Sequence, residues 1–196
     1  MKIYGVKSQK VSVILFLSIA ILIAIVNICC AQRKNTFSGK ENEAINKNET
    51  TIILWNHGKK ILLNQYLFAK EIQEKCESIF EDANDMYRLS VGEGLIKKLR
   101  KKEISIEIIY NSPKEFFPFY WKNRLKPKKL QILRLLIPLT GRFSLPPTIF
   151  YGTPEDKLPD GTTLEYGAFN DLINNHAEEE INYIKEILKT NLSIKF

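Results

Sequence analysis

Residues 11–30, VSVILFLSIAILIAIVNICC, form an unbroken apolar run with no charged residue, preceded by Lys2, Lys7 and Lys10 and followed by Arg33 and Lys34. About 20 helical residues rising ~1.5 Å each cover the ~30 Å hydrocarbon layer of a bilayer. The run is also longer than the ~7–15 apolar residues of a cleavable signal. The pattern predicts a positively charged n-region at residues 1–10 and an N-terminal transmembrane or signal helix at residues 11–30. Residues 31–49 invert it: they are rich in Asn, Lys and Glu and poor in apolar side chains, which predicts a flexible polar stalk. The excess of lysines before the run over cations close behind it places the N-terminus inside and the body outside the cytoplasm under the positive-inside tendency.

A globular domain is expected over residues 50–196. Residues 50–55 (TTIILW) and 59–63 (KKILL) flank Asn56-His57-Gly58, which predicts a hairpin with Gly58 at positive φ. The period then changes: Phe68, Ile72, Cys76, Ile79, Phe80 and Ala83 recur at spacings of three and four, an amphipathic helix ending near Asn84-Asp85. Ser90 and Glu93 stand at capping-box spacing ahead of a second helix running to about Lys102. Residues 104–110 (ISIEIIY) alternate as a strand with one face in the core, and Pro113 is expected to stop it. Residues 131–139 (QILRLLIPL) are apolar on both alternating sets apart from Arg134, as in a central strand covered on two faces. Residues 148–151 (TIFY) and 162–166 (TTLEY) predict a further antiparallel pair. The last helix opens with Asn175 as its cap and Glu178 to Glu180 at the positive end of its dipole. The element order β-β-α-α-β-β-β-β-α predicts an α+β fold, a single domain with a mostly antiparallel sheet packed on one face by about three helices.

Charge changes this picture in one place. Residues 95–134 hold twelve Lys and Arg against three Glu, a net +9 within a chain total of +7, so the basic character is regional. Inside this stretch, residues 113–129 (PKEFFPFYWKNRLKPKK) place Phe119, Tyr120 and Trp121 directly before Lys122, Arg124, Lys126, Lys128 and Lys129. Such a segment either caps the sheet's core with its rings while the cations are solvated, or meets anionic lipid headgroups, each nearby cation contributing roughly 1 kcal/mol. The second alternative makes these eight residues a candidate binding surface for a membrane or an envelope partner. Nucleic acid is not expected, because the orientation keeps the domain outside the cytoplasm.

The end of the apolar run carries its own chemistry. A cysteine closing such a run resembles the lipobox of bacterial lipoproteins, in which that cysteine is acylated and becomes the new N-terminus. On that resemblance Cys29 and Cys30 are lipidation candidates. The residues just before them, Ile28 and Cys29, depart from the Gly, Ala or Ser of the pattern. Cys29 and Ala31 also permit cleavage before Gln32, so retention, lipidation and release all stay open, and each places the body at or beyond a membrane.

Elsewhere the chemistry is sparse. His57 sits in the hairpin turn, His176 near the start of the last helix and Cys76 in an apolar stripe, and none has metal-ligand spacing. No nucleophile elbow, phosphate loop or CxxC pair is present, and no cofactor is expected. The sequence therefore predicts a membrane-tethered extracytoplasmic binding or structural module at the cell envelope. The alternative is an extracytoplasmic hydrolase whose groups meet only in the fold, with His57 beside Asp156 or Asp160.

Overall fold

One antiparallel sheet of six strands, in the order β2-β1-β3-β4-β5-β6, organises residues 50–168 and 170–196, which the computed structural model describes. In chain order the elements are β1 (Thr51–Asn56), β2 (Lys59–Leu62), α1 (Ala69–Glu81), α2 (Glu93–Lys102), β3 (Ile104–Phe116), the single turn α3 (Phe119–Lys122), β4 (Leu130–Pro138), β5 (Thr148–Gly152), β6 (Asp171–Ile173) and α4 (Glu178–Leu192). The expected α+β class is observed. Among the described residues no helix is long and apolar enough to cross a membrane. The n-region, the apolar run with Cys29 and Cys30, and the stalk lie outside the described residues.

The hairpin forms as expected. His57 and Gly58 both take positive φ, 48° and 88°, as a two-residue primed turn requires. The turn also docks on the end of α2. The Gly58 N–H donates to the Arg100 carbonyl at 2.9 Å and the His57 N–H to that of Glu103 at 3.3 Å. Carbonyls that a helix C-terminus leaves without partners are thereby satisfied.

Helices cover both faces of the sheet, not one. On the first face, Ile72, Cys76, Ile79 and Phe80 of α1 and Ile181, Ile184 and Leu188 of α4 pack on Leu54, Ile106, Ile108, Leu135 and Ile137. On the second, Ile96 and Leu99 of α2 join Leu136, Phe143, Phe150 and Tyr166. The alternation read in residues 104–110 therefore has no solvent face: Ser105 and Glu107 are as buried as Ile104, Ile106 and Ile108 beside them.

Four local expectations are corrected. The strand does not stop at Pro113, because β1 pairs with β3 only as far as Ile109 and the β3–β4 register skips from Ile109 to Lys114. Pro113 falls in that irregularity, where no ladder bond is demanded of it. The sixth strand is Asp171–Ile173, while residues 162–166 form a loop with one isolated bridge, Lys157 to Thr163. The N-cap of α2 is Gly92, with no side-chain cap, and Glu93 pairs forward with Lys97 at 3.2 Å. Likewise α4 begins after Ala177, and Asn175 instead donates from its backbone and side-chain amides to Asn84 Oδ1 beyond the end of α1.

Buried tyrosines give the fold a pH limit. Burial first, and then a neighbouring carboxylate, pushes the phenols of Tyr110 (beside Glu77) and Tyr166 (beside Glu107) well above their ordinary value, and burial does the same to Tyr151. A folded state that holds a proton more tightly than the unfolded chain has its full stability below the unfolded value of about 10 and loses it as pH rises above that. Denaturation midpoints should fall from about pH 10 upward, and the phenolate absorbance of these three tyrosines should appear only together with unfolding.

Candidate functional site

Two clusters of polar side chains stand out, one at an end of the sheet and one on its second face. The β3–β4 connection carries the first. Phe116 is buried in the core, and Tyr120 and Trp121 of α3 pack against it, with the Tyr120 N–H donating to the Ala83 carbonyl at 2.8 Å. The Trp121 indole nitrogen is buried. Phe119, 53% exposed, and Leu125, fully exposed, project instead. Arg124 stacks over Tyr120 at 4.2 Å and Lys122 over Phe117 at 5.4 Å, whereas Lys129 pairs with Glu115 at 2.7 Å. Among the described residues Lys122, Arg124, Lys126 and Lys128 have no carboxylate partner.

The strand register divides the basic stretch in two. Phe116 pairs with Leu130 at one end of the sheet and Asn56 with Ile104 at the other, a separation of roughly 30 Å along β4 at ~3.3 Å per residue. The α3 connection lies past the first end, beyond Thr51, where the described domain is entered. At the second end α2 presents Lys98, Lys101 and Lys102, next to Lys59 and Lys60 of the docked hairpin, all exposed. One run of positive charge in the sequence is thus two patches at opposite poles.

The second cluster is built around Glu107, which is 1% exposed in the middle of β3. Its carboxylate accepts from Trp55 Nε1 at 2.7 Å, from Tyr166 Oη at 2.8 Å, and from Arg100 through Nη2 at 2.5 Å and Nε at 3.2 Å. Arg134 of β4 approaches at 3.6 Å. From the loop after β5, Glu165 reaches Arg100 Nη1 at 2.9 Å and Arg134 Nη1 at 3.5 Å. Burial alone would depress the Arg100 guanidinium, but the Glu107 hydrogen bond and charge more than reverse this and hold it firmly protonated.

The backbone explains why Glu165 can be there. Gly152 faces Arg134 directly across the β4–β5 ladder, and a Cβ at this position would collide with the Glu165 carbonyl oxygen. Only glycine leaves room for residues 165 and 166 to lie on the sheet and aim their side chains at the two arginines and Glu107.

The histidines and loop acids are not brought together. His57, exposed in its turn, bonds through Nδ1 to the Lys102 carbonyl at 2.9 Å. Asp156 accepts from Thr153 and Asn170, and Asp160 from the Thr162 N–H. His176 is exposed in the turn before α4. Burial pushes the Cys76 thiol far up, which leaves it a core side chain and a poor nucleophile. Among the described residues no group of three or more His, Cys, Asp or Glu side chains is arranged to hold a metal ion.

The Glu107 cluster escapes sequence reasoning. Its available signals are a lone Glu in ISIEIIY and a lone Arg in QILRLLIPL, two charges interrupting neighbouring apolar strands. No protein-family model, curated protein or solved structure matches this chain, so function is argued from these geometries.

Proposed function

We propose that the chain is a membrane-tethered extracytoplasmic binding module whose α3 connection meets an anionic membrane surface. The supporting observation is positional. Thr51, where the chain coming from the apolar run and stalk enters the domain, opens β1 opposite Ile109, on the side of the sheet nearer the Phe116–Leu130 end beyond which residues 117–129 project. A tether entering from that side favours Phe119, Leu125, Lys122, Arg124, Lys126 and Lys128 over the far pole for contact with the bilayer. Tyr120 and Trp121 serve as the packed base on which the exposed residues stand. An apolar tip ringed by cations without carboxylate partners is the composition expected of an interfacial contact.

The test is cosedimentation of residues 50–196 with vesicles of neutral lipid, with and without an anionic component. Binding should require the anionic lipid and weaken as salt shortens the screening length. Replacing Lys122, Arg124, Lys126 and Lys128 by Gln should weaken it at least tenfold, given roughly 1 kcal/mol for each cation at the surface. The matching change of Lys98, Lys101 and Lys102, at the far pole, should leave it nearly intact. Equal losses from both sets would show non-specific attraction, and no salt-sensitive binding at all would sink the reading.

A further inference from the structure

Arg134 is oddly provided for. A guanidinium offers five N–H donors in a rigid fork, yet the two carboxylate oxygens nearest to it stand at 3.5 and 3.6 Å, too long for good hydrogen bonds. No closer partner exists for it among the described residues, although its side chain is only 28% exposed. Arg100, by contrast, grips Glu107 in a bidentate pair and holds Glu165 with its remaining arm. Glu107 is buried and belongs to the sheet. Glu165 is 48% exposed, comes from a loop, and is shared between both arginines.

A cavity of about 240 Å³ opens beside this shared carboxylate, lined by Glu93, Ile96, Lys97, Arg100, Glu165 and Tyr166. It is smaller than the ~300–1,000 Å³ of pockets that take drug-sized ligands, and it joins an apolar wall, Ile96 and the Tyr166 ring, to a charged one in which Arg100 is paired with Glu165 and Lys97 with Glu93. Glu165 lines that cavity and also approaches Arg134, which is not itself a lining residue.

We infer that Arg100 and Arg134 form a binding site for a small carboxylate or phosphate, which Glu165 fills from the protein's own chain. In the filled state the two arginines are neutralised by Glu107 and Glu165. When Glu165 swings into solvent, one positive charge is left over at the floor of the cavity. A ligand anion takes that place with contacts to Arg134 and to the one arm of Arg100 that Glu165 vacates, its apolar remainder lies on Ile96 and Tyr166, and Lys97 at the rim stays paired with Glu93. The exchange is feasible because a half-exposed ion pair holds its carboxylate weakly, while a bidentate arginine contact is among the stronger charge-assisted bonds. Tyr166 keeps its own bond to Glu107, so the loop remains anchored while Glu165 moves.

The experiment is calorimetric titration of the full chain with inorganic phosphate and, separately, with succinate. Glu165→Gln removes the internal competitor's charge and should bind at least one probe about tenfold more tightly than the natural chain. Glu165→Asp, a methylene shorter and unable to span both arginines, should fall between them. Adding Arg134→Gln to Glu165→Gln should abolish the gain, and a bound probe should raise the melting temperature of Glu165→Gln more than that of the natural chain. Preference for phosphate or for succinate identifies the anion class. Equal affinities for Glu165→Gln and the natural chain, no binding of either probe, or undiminished binding in the Arg134→Gln double variant would overturn the assignment and leave Glu165 a loop fastening.

Discussion

Replacing Glu107 by Ala should destabilise the domain by about 3–5 kcal/mol, the cost typical of deleting one partner from a buried ion pair. The carboxylate serves four side chains at once. Its loss leaves two largely buried guanidiniums facing each other with only the half-exposed Glu165 between them, and strips the Tyr166 hydroxyl of its acceptor. Against the ~5–15 kcal/mol that holds an ordinary domain together, this is a large fraction. Urea denaturation followed by tryptophan fluorescence measures it as a fall in midpoint at unchanged slope. A second variant separates the cost of broken partners from the worth of the network: Arg100→Met, Glu107→Leu, Arg134→Met and Tyr166→Phe together remove every orphan except the half-buried Trp55 indole N–H and the half-exposed Glu165 carboxylate, both within reach of water. That variant should recover most of the lost stability, because a buried ion cluster exchanged for apolar residues of similar volume is often neutral. If it is as unstable as Glu107→Ala, the cluster contributes by more than mutual satisfaction.

The same cluster marks where sequence reasoning reaches and where it stops. The hairpin, both long helices and the central strand follow from periodicity, because each buries a stripe of its own residues and the stripe is written locally. Glu107 sits at an alternating position where a carboxylate usually means solvent. Trp55 and Tyr166 come to it from more than 50 residues away, and its near neighbour Arg100 stands in sequence as one more cation in a run of lysines. Residues 162–166 are β-branched enough to read as a strand, but strand pairing also depends on who reaches the edge first. Here Asp171–Ile173 takes the edge beside β5, a segment too short to show a period. Pro113 misleads for a related reason: it breaks a ladder only where a ladder must be made, and the β1–β3 pairing has already ended at Ile109. The division of the basic stretch into two poles likewise required the length of β3, since nothing local says that residues 97–102 and 122–129 stand at opposite ends of a strand. The aromatic run is legible as a composition, but which rings turn inward depends on the core waiting under α3.

Gly152→Ala should be nearly as informative as Glu107→Ala, because it attacks the cluster without touching a charge. The added methyl meets backbone, the Glu165 carbonyl, and cannot be relieved by a side-chain rotation, so residues 165 and 166 must lift off the sheet. Overpacking of this kind costs about 1–3 kcal/mol, and lifting the segment carries Glu165 away from both arginines and Tyr166 away from Glu107. The consequence is non-additivity. In the natural background Glu165→Gln removes two ion pairs, whereas in the Gly152→Ala background those pairs are already gone, so the second substitution should add almost nothing. Urea denaturation of the two single variants and the double variant closes that cycle. Full additivity would mean that the loop keeps its grip on Arg100 and Arg134 despite the methyl, and that the glycine is not what seats Glu165. A coupling as large as the Glu165→Gln effect itself would show that one missing side chain on β5 sets the position of the carboxylate that the two arginines share.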